Sequence, residues 1–171
     1  MDDRYLKPHI VIGDLSKIHG LKNEEKILLG TDGSITNLLE ILFGEEVVVE
    51  TLYQEIIDNV NYRAVLLGVN GIPLIYATSE TPLNLIDEIH IREKIKKDLL
   101  SADIPIGKIL KIHNLETRRE IVEIAVKEVP DVVKNKLNPK RIKIPQRTYN
   151  IIHKNKVLMT ITEMFNLEDH L

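Results

Sequence analysis

The chain has 171 residues, 43% of them hydrophobic and 29% charged, a length that suits one globular domain burying roughly 70% of its unfolded surface. Its 23 Lys+Arg against 26 Asp+Glu leave a formal net charge of -3 with neither sign gathered into a block, so the electrostatic footprint of a nucleic acid partner is missing. The absence of Cys excludes disulfides, zinc knuckles and a thiolate nucleophile, and the scattered His9, His19, His90, His113, His153 and His170 have no metal-ligand spacing; no metal is expected.

The first 25 or so residues mix Pro8, Gly13 and Gly20 with short apolar pieces and predict an extended lead-in with at most one helical turn. The acidic start holds no apolar stretch long enough for a signal peptide, and no run of about 18 apolar residues occurs anywhere, so a cytoplasmic protein without a membrane partner is expected. In LLGTDGSITNLLEILFGE, Asp32-Gly33 marks a turn, Ser34 is placed to cap a helix, and Leu38, Leu39, Ile41 and Leu42 form an apolar stripe that ends at Gly44. The β-branched run from Glu46 to Ile57 predicts a strand. Two further β-rich runs meet at Asn70-Gly71, a pair suited to the positive φ angles of a two-residue hairpin turn.

Ile86, Ile89, Ile95 and Leu99 recur near helical spacing and predict an amphipathic helix from Asn84 to Ser101. A short helix follows Pro105, then a strand in TRREIVEIAVKEV, a helical turn or two in PDVVKNKL, and a final hairpin around Lys154-Asn155. Hairpins rather than regular strand-helix alternation argue one α+β domain over residues 1–171, an antiparallel sheet covered by helices.

Alternation in the first hairpin places Arg63 on one face with Val65, Leu67 and Val69, and a two-residue turn continues that face through Ile72, Leu74, Tyr76 and Thr78. A guanidinium pointing toward a core must be paired internally, meet a ligand anion, or reach solvent at a strand end. Glu163 repeats the anomaly with opposite sign, in a row with Val157, Met159, Ile161 and Phe165. The two residues form either a plain buried ion pair or the polar pair of a small-molecule cavity. Simple alternation of the neighbouring strand puts Thr148 and Asn150 on Glu163's face and Tyr149 and Ile151 on the other, which leaves the core face open. Two helix starts, Gly33-Ser34-Ile35-Thr36 and Pro105-Ile106-Gly107, offer backbone N–H groups to a carboxylate or are ordinarily capped. Of the charges in the ETRREIVEIA segment, Glu123 shares a face with Ile121 and Ala125 and is the more interesting.

Taken in order, LLGTDGSITNLLE, YRAVLLGVNGIPLIYATSETP, IPIGKIL, ETRREIVEIA and KVLMTITEMF, over about residues 28–166, resemble the chorismate lyase (chorismate pyruvate-lyase) and chorismate lyase-like family. The resemblance implies a compact α+β domain with an enclosed cavity, in which chorismate becomes 4-hydroxybenzoate and pyruvate without metal or organic cofactor. It implies catalytic roles for Arg63 and Glu163, main-chain contacts to the ligand at Ile35 and Ile106, and a binding surface extended by Thr36, Gly107, Tyr76 and Thr78. Its expected partner is a small aromatic precursor acid; the oligomeric state is left open. The same fold also serves as an effector-sensing domain of transcription regulators, so a non-catalytic binding module is the alternative. Ile35 stands where the best-known bacterial members carry a methionine, and the region between Ser79 and Ile104 differs from theirs.

Overall fold

The computed structural model describes residues 8–84, 89–101, 104–167 and 170. Helices α1 (Pro8–Ser16), α2 (Asn23–Gly30) and α3 (Ile35–Phe43) precede strands β1 (Val48–Ile57), β2 (Val60–Val69) and β3 (Ile72–Pro82). Helices α4 (Ile89–Ser101) and α5 (Ile106–Ile112) then lead to β4 (Arg118–Glu128), α6 (Asp131–Leu137), β5 (Lys143–His153) and β6 (Lys156–Phe165). The helix expected from Asn84 begins at Ile89 among the described residues, and positions 85–88 lie outside them.

The extended lead-in is corrected to two helices. Val11, Leu15 and Ile18, at i, i+4 and i+7, pack on the core, and Leu28 and Leu29 of α2 are fully buried in it. This tertiary burial outweighs the turn-forming glycines. At the start of α2 the buried Glu25 carboxylate accepts the Lys22 backbone N–H at 2.9 Å, which satisfies a donor the helix leaves open. Helix α3 follows its sequence signals. The Ser34 hydroxyl accepts the Asn37 N–H at 3.4 Å, and Gly44 closes the helix in the left-handed region at φ 68°.

All six strands form one antiparallel sheet in the order β1-β2-β3-β6-β5-β4. Two three-stranded meanders therefore meet at the β3–β6 pair. The Asn70-Gly71 turn takes φ 53° and 75°, and Lys154-Asn155 takes 48° and 60°, the positive values that two-residue hairpins require. Helices α1 to α5 cover one face: α1 packs on β4, α2 on β4 and β5, and α3 on β2, while Ile95 and Leu99 of α4 and Ile109 and Leu110 of α5 pack on Tyr149, Ile151, Met159 and Ile161. Helix α6 covers part of the other face with Val133 and Leu137 against Ala64, Leu66 and Tyr76. No helix among the described residues is long and apolar enough to cross a membrane.

Four of the strand pairings carry a register irregularity, in β1 at Leu52, β3 at Leu74, β4 at Val122 and β6 at Leu158. Each extra residue reverses the inward and outward phase beyond it. The irregularity at Leu74 brings β3 against Gly68, where an added Cβ would stand 2.7 Å from the Ile72 carbonyl oxygen. Only glycine fits that close approach.

Candidate active site

A cavity lies between the helix-covered face of the sheet and the first turns of α3 and α5. The sheet face beneath it is crossed by two transverse rows, each with one residue from β2, β3, β6, β5 and β4. One row runs Val65, Ala77, Glu163, Arg147, Ile124; the next runs Arg63, Ser79, Ile161, Tyr149, Ile121. Arg63 and Glu163 are therefore brought to the same face and border the same cavity.

Arg63 is 3% exposed. Its guanidinium donates to the Thr51 hydroxyl at 3.0 Å and to the Ile104 carbonyl at 3.2 Å. One bond thus ties the arginine to β1, the other to the segment entering α5. Glu163, 2% exposed, is held by two residues that the sequence pattern did not single out. Arg147 donates from Nε to Oε2 at 2.6 Å, and the Tyr149 hydroxyl donates to Oε1 at 3.0 Å. Each carboxylate oxygen keeps a lone pair for a ligand, so Glu163 is a fixed anion facing the cavity.

Arg147 reaches beyond Glu163. Its Nη1 donates to the carbonyls of Leu28 at 2.9 Å, Leu29 at 3.4 Å and Thr31 at 2.8 Å, closing the open carbonyl end of α2 with a cation. The guanidinium also lies 4.8 Å from the Tyr149 ring centroid and 5.8 Å from that of Phe165. It stands behind the cavity wall and orients the carboxylate in front of it.

The phenol of Tyr149 is pushed well above its usual range, by burial first and by the Glu163 charge second, while Arg147 and Arg119 pull it part of the way back. Tyr149 is thus a neutral hydrogen-bond donor to Glu163 at any physiological pH, not a base. Its ionisation is linked to unfolding: the folded pKa lies above the unfolded one, so this stability is complete below about pH 10 and falls as pH rises above it. The expected result is that wild type and Tyr149→Phe give the same ultraviolet phenolate amplitude until alkaline unfolding, whereupon wild type gains one tyrosine more. An extra phenolate in the folded wild type near pH 10 would contradict the assignment.

Among the other expected site residues, Ile35 and Thr36 open α3, Ile106 and Gly107 open α5, and all four border the cavity. Tyr76 does not join them. The extra residue at Leu74 puts Tyr76 opposite Leu66 on the far face, where it packs under α6. Thr78 falls in the outward row with Ala64, Thr162 and Thr148, and is exposed; it adjoins the cavity although its row faces away. The extra residue at Val122 likewise turns Glu123 outward, to an exposed ion pair with Lys127 at 2.6 Å. Arg119 is the β4 charge that borders the cavity. The extra residue at Leu158 resolves the ambiguity in the last hairpin, since Arg147, Tyr149 and Ile151 align with Glu163, Ile161 and Met159 while Thr148 pairs outward with Thr162. Among the described residues, no group of three or more His, Cys, Asp or Glu could hold a metal ion.

Comparison with known proteins places the chain in a family and a fold. A family model described as "Chorismate pyruvate-lyase Rv2949c-like" matches residues 29–171. The protein named "Putative lyase MJ0807" of Methanocaldococcus jannaschii is 61% identical over 154 residues, covering 90% of this chain and 84% of that protein. Among solved structures, the effector domain of PhnF from Mycobacterium smegmatis superposes with a TM-score of 0.58 at 9% identity, over 81% of this chain and 90% of that one. A GntR-family transcriptional regulator from Bacillus cereus gives 0.51 at 9% identity, over 73% of this chain and 94% of that one. At such identities these likenesses show a shared α+β fold, the chorismate lyase-like fold. By sequence, the chain belongs to the Rv2949c-like chorismate pyruvate-lyase family.

Proposed function

We propose that this single-domain protein is a cytosolic, cofactor-independent lyase that converts chorismate to 4-hydroxybenzoate and pyruvate. The observation that carries the reading is the meeting of Arg63 and Glu163 on one wall of a cavity bounded by the first turns of α3 and α5, in a member of this family. In the reaction the bond from ring C3 to the enolpyruvyl oxygen breaks, ring C4 loses its proton, and the ring becomes aromatic. The departing enolpyruvate takes up a proton at carbon as it becomes pyruvate. Aromatisation supplies the driving force, so the protein mainly has to hold and polarise.

Arg63, fixed by Thr51 and Ile104, donates to the ether oxygen and stabilises the charge that grows there. Glu163, fixed by Arg147 and Tyr149, accepts from the ring hydroxyl and assists removal of the C4 proton. The backbone N–H groups of Ile35 and Ile106 contact the ligand's ring carboxylate, with Thr36 and Gly107 beside them. Burial of both charged groups sharpens each interaction relative to water.

A second reading is favoured by the PhnF effector domain and the other regulator structures that share the fold: a cavity that binds an aromatic carboxylate without chemistry. One assay separates the two. Purified protein is incubated with chorismate while 4-hydroxybenzoate and pyruvate are quantified together. Equimolar products are expected; no product, with saturable binding of 4-hydroxybenzoate, would move the protein to the sensor class.

A further inference from the structure

We infer that Arg119 is the side chain that makes the cavity selective for a carboxylate on its aromatic ligand. Arg119 stands in β4 opposite Ile151, on the helix-covered face of the sheet, and borders the cavity. Among the described residues it has no hydrogen bond or ion pair, its Nε is buried without an acceptor, and its one ring contact is to Tyr149 at 5.9 Å. Arg63, also on the cavity, is engaged by Thr51 and Ile104, and Arg147, behind the cavity wall, by Glu163 and the end of α2. Arg119 is half-buried, and a buried guanidinium N–H left without an acceptor is unfavourable unless a ligand provides one. The charges bordering the cavity, Arg63 and Arg119 against Glu163, also leave one positive charge to be neutralised.

The position says which anion. Arg119 Nη2 lies 3.5 Å from the point a Cβ on Gly107 would occupy, and the Ser34 hydroxyl lies 3.7 Å from that same point. Arg119 therefore stands beneath the junction of the α3 and α5 segments, at the opposite side of the floor from Arg63, which is four strand spacings away along the sheet. With the ether and hydroxyl end of the ligand at Arg63 and Glu163, the far end of the ring points to Arg119. A carboxylate in the para position, common to 4-hydroxybenzoate and its precursor, meets a planar fork that can bind it through two parallel hydrogen bonds.

This inference rests on the lyase reading for the orientation of the ligand, but its test needs no turnover. Dissociation constants of 4-hydroxybenzoate and the neutral 4-hydroxybenzamide are measured by calorimetry for wild type and Arg119→Gln, together with KM and kcat for chorismate. Wild type is expected to prefer the carboxylate about 10- to 100-fold, the range of a charge-assisted hydrogen-bonded pair. Arg119→Gln is expected to lose that preference by weakening carboxylate binding alone, and to raise KM by a similar factor with kcat changed less than about threefold. Equal weakening of acid and amide would make Arg119 merely structural and overturn the inference. So would a variant that keeps the preference, or a wild type that has none. If Arg119→Gln folds poorly, Arg119→Lys carries the test: charge retained without the fork leaves a reduced preference, whereas an unreduced one overturns the bidentate role. A wild type that turns over no chorismate yet discriminates acid from amide through Arg119 would remove the lyase reading and leave this one standing.

Discussion

Glu163→Gln is expected to lower kcat for chorismate by about 10²- to 10⁴-fold, the usual worth of a positioned proton-transfer group. The amide keeps the size of the side chain but loses the anion that Arg147 and Tyr149 hold toward the cavity. One of its two ends becomes an NH₂ donor; Arg147 Nε can only donate and so must keep the amide oxygen, which forces the Tyr149 hydroxyl to turn from donor to acceptor. Arg63→Ala should lose turnover comparably, because the Thr51 hydroxyl and Ile104 carbonyl can only accept from the guanidinium or leave it; neither replaces its charge. The measurement is steady-state release of 4-hydroxybenzoate and pyruvate from variants whose thermal midpoints show them folded. Unchanged turnover in folded Arg63→Ala or Glu163→Gln would sink the assignment of that residue.

The largest expected effect on stability belongs to Arg147→Met, a loss of about 3–5 kcal/mol, the range for removing one partner of a buried ion pair. The side chains of Arg147 and Glu163 are 1% and 2% exposed, so water cannot replace the missing partner. The carbonyls of Leu28, Leu29 and Thr31 lose their donor in the same step. Combining Arg147→Met with Glu163→Gln should recover part of the loss, since the double variant no longer buries an uncompensated carboxylate. Urea midpoints for the four proteins of this cycle provide the measurement. Two single losses that simply add would mean that the pair is not coupled.

Local features were legible in the sequence. Ser34, Gly44 and Asn70-Gly71 act through their own backbone neighbours, and the helix and hairpin they announce occur where expected. Arg63 and Glu163 stood out because a charge in an apolar row is visible at a spacing of two. What alternation does not encode is the extra residue within a strand. Leu52, Leu74, Val122 and Leu158 look like ordinary strand residues, yet each reverses the phase of the residues beyond it. That reversal turned Tyr76 to the far face and Glu123 outward, and it hid Arg147. The run KIPQRTYNIIH reads equally well in either phase. Allowing one extra residue at Leu158 aligns Arg147, Tyr149 and Ile151 with Glu163, which is the signal that could have found Arg147. The N-terminal helices were missed for another reason, since their stability comes from burial against a sheet formed by residues far along the chain.

The row from Val65 through Ala77, Glu163 and Arg147 to Ile124 takes one residue from each of five strands and joins both meanders across the β3–β6 pair. Each meander is closed by comparatively local pairing, but β3 and β6 are separated by the whole of α4, α5, β4, α6 and β5, so their docking carries most of the loop-closure entropy and belongs late in folding. No species in which only one meander has formed can hold Glu163 between Ala77 and Arg147. Recovery of activity during refolding therefore tracks the long-range docking step rather than the appearance of secondary structure, and amides of β3 and β6 should exchange hydrogen only when the whole chain opens.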